Sequence, residues 1–132
     1  MIRPEAQTLA RASLSDLASA LSGSLGLGPT ANLNPERKFP SMFEPIHGSA
    51  FDITGQGIAN PIASFWSAAL MLDHLGEADA AARLMSAIER TLAAGDLLPR
   101  DLGGSATTAE ITQRVCDLLR GAKPVSGLLG SR

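Results

Sequence analysis

The residues best suited to chemistry lie between Phe43 and Pro61, where His47, Asp52 and Asn60 are spaced by Gly48, Gly55 and Gly57. A lone carboxylate among small residues accepts hydrogen bonds from hydroxyls, and glycines let a backbone approach a ligand closely and take positive φ. Together they describe a loop that holds a small molecule. Each residue also has a plainer reading. Asp52 fits a turn residue that caps its neighbours. Asn60 is a good helix cap whatever else it contacts. His47 fits a hydrogen-bonded structural histidine with no acid–base role.

The elements flanking this loop must present it. Residues 41–45, bounded by Pro40 and Pro45, read as a short buried strand that delivers the chain to the loop, and residues 31–33 as a second short strand. Beyond the loop, Asn60-Pro61 predicts a helix start, because the Asn side chain satisfies an orphan N–H and proline at the first position has none to satisfy. That helix carries Phe65, Trp66, Ala69, Leu70, Leu72 and Leu75 and is apolar almost all round, which predicts a core helix ending at Gly76. A helix from about Glu77 to Gly95 follows, with Ala81, Leu84, Met85, Ile88 and Leu92 on one face. Residues 97–105 read as loop. Thr107 with Glu110 forms a capping box that opens a last helix, with Ile111, Val115, Leu118 and Leu119 facing inward until Gly121. Before the loop, Leu14, Leu17 and Leu21 recur at helical spacing over residues 4–24, with Gly23 as a stop. Residues 122–132 have no periodicity and are expected to be mobile. The result is four helices and two short strands, few strands for a nucleotide-binding unit.

Composition narrows the function classes. A chain of 132 residues forms one domain able to bury roughly two-thirds of its unfolded surface. With 45% apolar and 18% charged residues it reads as globular, and a net charge of −2 without a basic cluster carries no footprint for nucleic acid or an anionic membrane. No apolar run approaches the roughly 18 residues of a membrane span, and residues 1–7 lack the core of a signal peptide, so a cytoplasmic location is expected. The single cysteine, Cys116, falls on the apolar side of a helix and reads as a buried core thiol. His74 beside Asp73 reads as a surface site favoured by the helix dipole. There is no tyrosine and there are only two lysines, Lys38 and Lys123, so no mechanism that needs a tyrosine acid is completed by this chain.

The stretch Phe43-Glu-Pro-Ile-His-Gly-Ser-Ala50, then Asp52-Ile53 and Gly55-Gln-Gly-Ile-Ala-Asn-Pro61, resembles the cofactor loop of the metal-dependent, β-decarboxylating hydroxyacid dehydrogenases, the family of isocitrate, isopropylmalate and tartrate/D-malate dehydrogenases. The match extends back to Leu14-Ser-Asp-Leu17 and Gly26-Leu-Gly-Pro-Thr-Ala-Asn32, and forward to Asp101-Leu-Gly-Gly104 and Thr107-Thr-Ala-Glu110. Residues 34–43 look most like the tartrate/D-malate branch. The resemblance implies an α/β, isopropylmalate dehydrogenase-like fold, present here in part as a helix-rich C-terminal segment. It divides the chain into a non-family extension at 1–13, a dehydrogenase portion at 14–121 and a flexible tail at 122–132.

By resemblance, His47, Gly48, Ser49 and Ala50 match the loop that wraps the adenosine end of NAD, Asn60 matches a residue that hydrogen-bonds adenine, and Asp52, followed by Ile53, matches the acid that takes the ribose hydroxyls. Glu44 sits where the family places an acid near the nicotinamide ribose. A carboxylate at Asp52 accepts hydroxyl bonds but repels a 2′-phosphate, so NAD is expected over NADP. Family enzymes oxidise a 2-hydroxy acid and lose carbon dioxide with the help of Mg²⁺ or Mn²⁺. Asp16 matches one of two metal-binding aspartates a helical turn apart, and the other is replaced by Ala12. One helix carboxylate is too few oxygens for a hard cation, and Asp16 also reads as a solvated residue. A second departure is Phe51, where the family usually has proline. The tyrosine, lysine and substrate-clamping arginines of the family precede the matched region. The isolated chain is therefore expected to carry the adenosine half of the cofactor site without turnover, and to form a homo-oligomer or associate with an N-terminal portion. A non-catalytic binding or dimerisation module and a decayed fragment are the alternatives.

Overall fold

The computed structural model describes residues 23–121. The helix expected over residues 4–24, the Ala12/Asp16 pair and the tail at 122–132 lie outside the described residues, apart from Gly23 and Ser24 at that helix's end.

A two-stranded antiparallel sheet comes first, β1 (Pro29–Asn32) paired with β2 (Met42–Pro45), with Thr30 opposite Glu44 and Ala31 opposite Phe43. Both strands are displaced slightly from their expected limits, because the ladder is set by pairing rather than by proline punctuation. It continues for one further bond, from the Ile46 N–H to the Gly28 carbonyl (2.9 Å), which holds the chain at the entrance to the loop. Three helices follow: α1 (Ile62–Leu75), α2 (Ala78–Ala94) and α3 (Thr108–Leu119). Helix α1 packs on both strands and on α2, and α2 packs on α3.

The hydrogen-bonded part of α1 begins at Ile62, one residue later than expected. Pro61 is already in the right-handed helical region, but Asn60 still caps, since its Oδ1 accepts from the Ile62 N–H at 3.0 Å. At the other end Gly76 takes φ 92°, and the Glu77 N–H reaches back to the Leu72 carbonyl at 2.9 Å, closing α1 in the left-handed turn that glycine permits. The core joins all three helices through Ile62, Ala69, Leu84, Ile88, Ile111 and Val115.

Helix α1 departs from its reading as a core helix. Only Ile62, Ala63, Ser67 and Ala69 are buried, Phe65 and Trp66 are half-buried against the core, and Leu70, Met71 and Leu75 are exposed. A helix apolar all round needs partners all round, and the described residues supply a two-stranded sheet and one helix. Cys116 is likewise half-buried rather than enclosed. His74 is not a simple surface residue. Its ring lies 5.5 Å from that of Phe43, its Nε2 is 3.3 Å from Ser41 Oγ, and its carbonyl accepts from Arg37, so it ties the end of α1 to the hairpin.

The capping box on α3 forms as read: the Glu110 carboxylate accepts from the Thr107 N–H at 2.8 Å, while the Glu110 N–H donates to Thr107 Oγ1 at 3.3 Å. The Thr107 backbone and hydroxyl bonds hold the Glu110 carboxyl below its ordinary value of 4.5, outweighing a small opposing effect of burial. A carboxyl whose folded value is depressed contributes stability that is fully present above the unfolded value and is lost as pH falls through the folded one. Thr107→Ala is therefore expected to lower the urea midpoint at neutral pH by an amount equal to about 1 kcal/mol, and to weaken the dependence of stability on pH below 4.5. Equal acid titrations of variant and parent would contradict this. Asp96 behaves in the same direction, its carboxyl lowered chiefly by the hydrogen bond from Arg114, which grips both of its oxygens at 3.3 and 2.9 Å.

Candidate functional site

The loop from Ile46 to Asn60 is clamped at both ends and open between them. Its entrance is held by the Ile46–Gly28 bond. Its exit is held by the first residue of α3, whose N–H donates to the Gly57 carbonyl at 2.8 Å and whose hydroxyl donates to the Ala59 carbonyl at 2.6 Å. Thr108 is thus both the start of a helix and the anchor of the loop, a role the sequence reading did not assign it. Between the clamps, residues 47–52 and 54–57 are exposed.

A short 3-10 turn, Phe51–Ile53, forms the middle of the loop. Ala50 enters it in the left-handed region, at φ 42° and ψ 58°, a conformation that costs a residue with a Cβ roughly 1–2 kcal/mol. Proline at position 51 would push its predecessor toward extended backbone, so Phe51 is compatible with an Ala50 conformation that the family's usual proline disfavours. Phe51 is 85% exposed. The Asp52 carbonyl accepts from Gln56 Nε2 at 2.8 Å, which closes the turn, while the residue itself stays exposed. Ile53 is half-buried. Gly55 and Gly57 take φ 79° and 66°, and added Cβ atoms at Gly48, Gly55 and Gly57 would meet nothing within 4 Å. The protein thus leaves one side of this backbone open. His47 Nδ1 lies 3.1 Å from the Gly48 carbonyl, an acceptor only, so in this contact Nδ1 carries the proton and donates. Ser49 is exposed beside it, and Glu44 is exposed on β2, its carbonyl accepting from Thr30 Oγ1 at 3.2 Å.

Asn60 is brought to a group that the sequence reading missed. Its Nδ2 donates to Asp101 Oδ2 at 2.9 Å, and the same carboxylate oxygen accepts from Ser24 Oγ. Ser24 Oγ in turn accepts from the Gly26 N–H at 2.9 Å. Asp101 lies on a 3-10 turn, Arg100–Leu102, between α2 and α3. A Cβ on Gly26 would stand 2.6 Å from Asp101 Oδ2 and 3.0 Å from Asn60 Nδ2, so glycine there lets both side chains lie against the backbone. Asp101 was visible only as part of the Asp-Leu-Gly-Gly stretch. Its partners are 41 and 77 residues away, a separation no local pattern reports.

A concavity of about 290 Å³ is lined by Gly95, Asp96, Leu98, Gly104, Ser105 and Glu110 among others and shares no residue with the loop. Its lining is mostly backbone and short polar groups, and it has no convergent set of chemical groups. Asp16 lies outside the described residues, and among those described no group of three or more His, Cys, Asp or Glu is placed to hold a metal ion. No helix among them is long and apolar enough to cross a membrane.

The family model for isocitrate/isopropylmalate dehydrogenase matches residues 12–115. The chain belongs to this family. It is 70% identical over 109 residues to a probable tartrate dehydrogenase/decarboxylase of Agrobacterium vitis, covering 83% of this chain and 30% of that protein. Against the D-malate dehydrogenase [decarboxylating] of Escherichia coli (strain K12) it is 50% identical over 111 residues, covering 80% and 30%. Among crystal structures, isocitrate dehydrogenase from Methylococcus capsulatus superposes with a TM-score of 0.76 at 39% identity, covering 83% of this chain and 32% of that one. These relatives place the chain in the tartrate/D-malate branch, and its helices and hairpin form part of an isocitrate dehydrogenase-like α/β fold. The chain spans about 30% of the length of the curated relatives.

Proposed function

We propose that this dehydrogenase-family chain contributes the adenosine-binding half of an NAD site to an enzyme that oxidises and decarboxylates a 2-hydroxy acid of the tartrate or D-malate type. The observation that carries the reading is the loop itself: fastened at Gly28 and Thr108, it presents an exposed Asp52 carboxylate and three glycines with open backbone between the fastenings. The residues present fit the adenosine end of a dinucleotide. Asp52 would accept the ribose hydroxyls, the backbone of Gly48, Ser49 and Ala50 would lie along the nucleoside, with His47 and Ile53 at its sides, and Asn60 would meet the base. Glu44, on the neighbouring strand, would face the nicotinamide ribose. NAD, when bound, supplies the acceptor for the hydride of the hydroxy acid, and the groups that bind that acid belong to the part of the fold outside the region matched here. In this reading residues 14–121 are the dehydrogenase portion, with 1–13 and 122–132 as appendages. Mg²⁺ or Mn²⁺ would be held mainly by groups beyond this chain, with Asp16 as its one contribution.

Calorimetric titration of the full chain tests the loop. Each hydrogen bond to a charged group is worth about 1.5–3 kcal/mol, so NAD should bind roughly 10-fold or more tightly than NADP, and Asp52→Asn should narrow the gap. Equal affinities for the two cofactors in the parent chain would sink the role given to Asp52. With NAD, Mn²⁺ and D-malate, the chain alone should produce no NADH above the rate without protein.

A second reading, association through an apolar face with another copy or with an N-terminal portion of the fold, is favoured by the exposed side chains of Leu33, Met42, Leu70, Met71 and Leu75 on the hairpin and α1. Light scattering that finds a monomer without dye-accessible apolar surface would count against it.

A further inference from the structure

The backbone of residues 47–59 is bonded mostly to itself. The Ile53 and Gln56 N–H groups donate to the Ala50 and Ile53 carbonyls, both at 3.1 Å, and Gln56 Nε2 donates to the Asp52 carbonyl at 2.8 Å. Bonds this local shape the turn without fixing where it sits on the molecule. Packing adds little, since only Ile53 and Ile58 of the stretch are half-buried and the rest is exposed. Among the described residues, the groups outside residues 47–59 that bond to this backbone both belong to Thr108: its N–H reaches the Gly57 carbonyl at 2.8 Å and its hydroxyl the Ala59 carbonyl at 2.6 Å.

Thr108 suits this task by position and by type. As the first residue of α3 its N–H has no carbonyl inside the helix to bond, and the Gly57 carbonyl fills that place. Its neighbour Thr107 bonds Glu110 through both its N–H and its hydroxyl, so one threonine closes the helix on itself and the next joins the helix to the loop. Two bonds from one residue to carbonyls two positions apart fix the direction of both peptide planes, where a single bond would leave rotation about it. The β-branch restricts χ1 and keeps the hydroxyl aimed. We propose that Thr108 is a positioning residue for the cofactor loop: it touches no ligand, and it sets nucleotide affinity by holding residues 47–59 in their binding arrangement. The inference rests on the NAD-loop reading and adds to it a residue on a separate helix. Coupling between two sites is reciprocal, so a nucleotide that steadies the loop also steadies the start of α3.

Calorimetric titration with NAD and amide hydrogen exchange, both on the full chain, test this. Thr108→Val keeps the branched shape and the N–H and removes the hydroxyl, and it should weaken NAD binding about 3- to 10-fold, the effect of one net hydrogen bond. Thr108→Ser restores the hydroxyl and should return affinity to within about 2-fold of the parent. Ile88→Val, a core change that leaves the clamp in place, should lower the unfolding midpoint and keep the affinity for NAD, which separates positioning from stability at large. In the parent chain, NAD should slow exchange of the Thr108 N–H more than that of the Glu77 N–H, which closes the far end of α1. Parental affinity in Thr108→Val, or a Thr108→Ser or Ile88→Val chain as weak as Thr108→Val, overturns the proposal and leaves the NAD-loop reading intact. Failure of the parent chain to bind NAD overturns both. If Thr108→Val does not fold, the exchange experiment still decides: NAD that slows Thr108 no more than Glu77 overturns the proposal.

Discussion

Gly104→Ala is expected to destabilise the chain by about 3 kcal/mol, at the upper end of the range for overpacking. A Cβ at this position would stand 1.9 Å from the Leu98 carbonyl oxygen and 2.5 Å from its carbon. These are backbone atoms, so no rotamer change relieves the clash and the segments themselves must part. The contact is close because the 98–106 loop is folded onto itself, the Gly104 N–H donating to the Pro99 carbonyl and the Ala106 N–H to the Leu98 carbonyl, both at 3.0 Å. Between these bonds lies the turn Arg100–Leu102, which carries Asp101 to Asn60. The substitution should therefore weaken NAD binding as well as lower the urea midpoint. Gly48→Ala is the matched control, since a Cβ there meets nothing within 4 Å and stability should stay within about 0.5 kcal/mol of the parent. A Gly104→Ala chain as stable as Gly48→Ala would show that the loop yields where the structure has it rigid.

Ile111→Ala is expected to cost between about 2 and 5 kcal/mol, the range for truncating a large aliphatic side chain in a packed interior. Ile111 is 0% exposed and packs in the cluster formed by Ile62, Ile88 and Val115, where all three helices meet. The cavity would open one turn into α3, directly after Thr108, whose N–H and hydroxyl hold the exit of the loop. Loss of packing at Ile111 should loosen that clamp, so that faster hydrogen exchange at residues 57–60 accompanies the loss of stability. Leu75→Ala, at a residue 61% exposed, should cost far less by the same measurement. Similar costs at the two positions would remove the distinction between the core and the exposed flank of α1.

The parts of this molecule legible in the sequence are those whose causes are local. Thr107 and Glu110 specify the start of α3 because a cap and its reciprocal partner sit within one turn of each other. Gly76 and Gly95 end α1 and α2 because only a residue without Cβ takes the left-handed conformation at little cost. The open, glycine-spaced loop was legible for the same reason, as were the spacing of Leu84, Ile88, Ile111 and Val115 toward one core and the family itself. Boundaries were less so. Pro61 reads as the first helical residue, yet the bonded helix starts at Ile62, since the start of a helix depends on where its first carbonyl points and not on residue type alone.

What only the tertiary structure decided is the set of contacts that fasten the loop and its flanking elements. Asp101 on Asn60, Ser24 on Asp101, Thr108 on Gly57 and Ala59, and His74 on Phe43 and Ser41 each join residues far apart in the chain. Such pairs arise when helix packing brings separate turns together, and the hydrophobic term that drives this packing is non-directional, so it leaves no pattern at the polar residues it happens to align. The exposed flank of α1 has the same origin: periodicity records that Leu70, Met71 and Leu75 are apolar, whereas their burial depends on what stands opposite. The sequence by itself determined the three described helices, the glycines that close α1 and α2, the capped start of α3 and the family. The fold decided which side chains hold that loop and brought Asp101 to Asn60 at its exit.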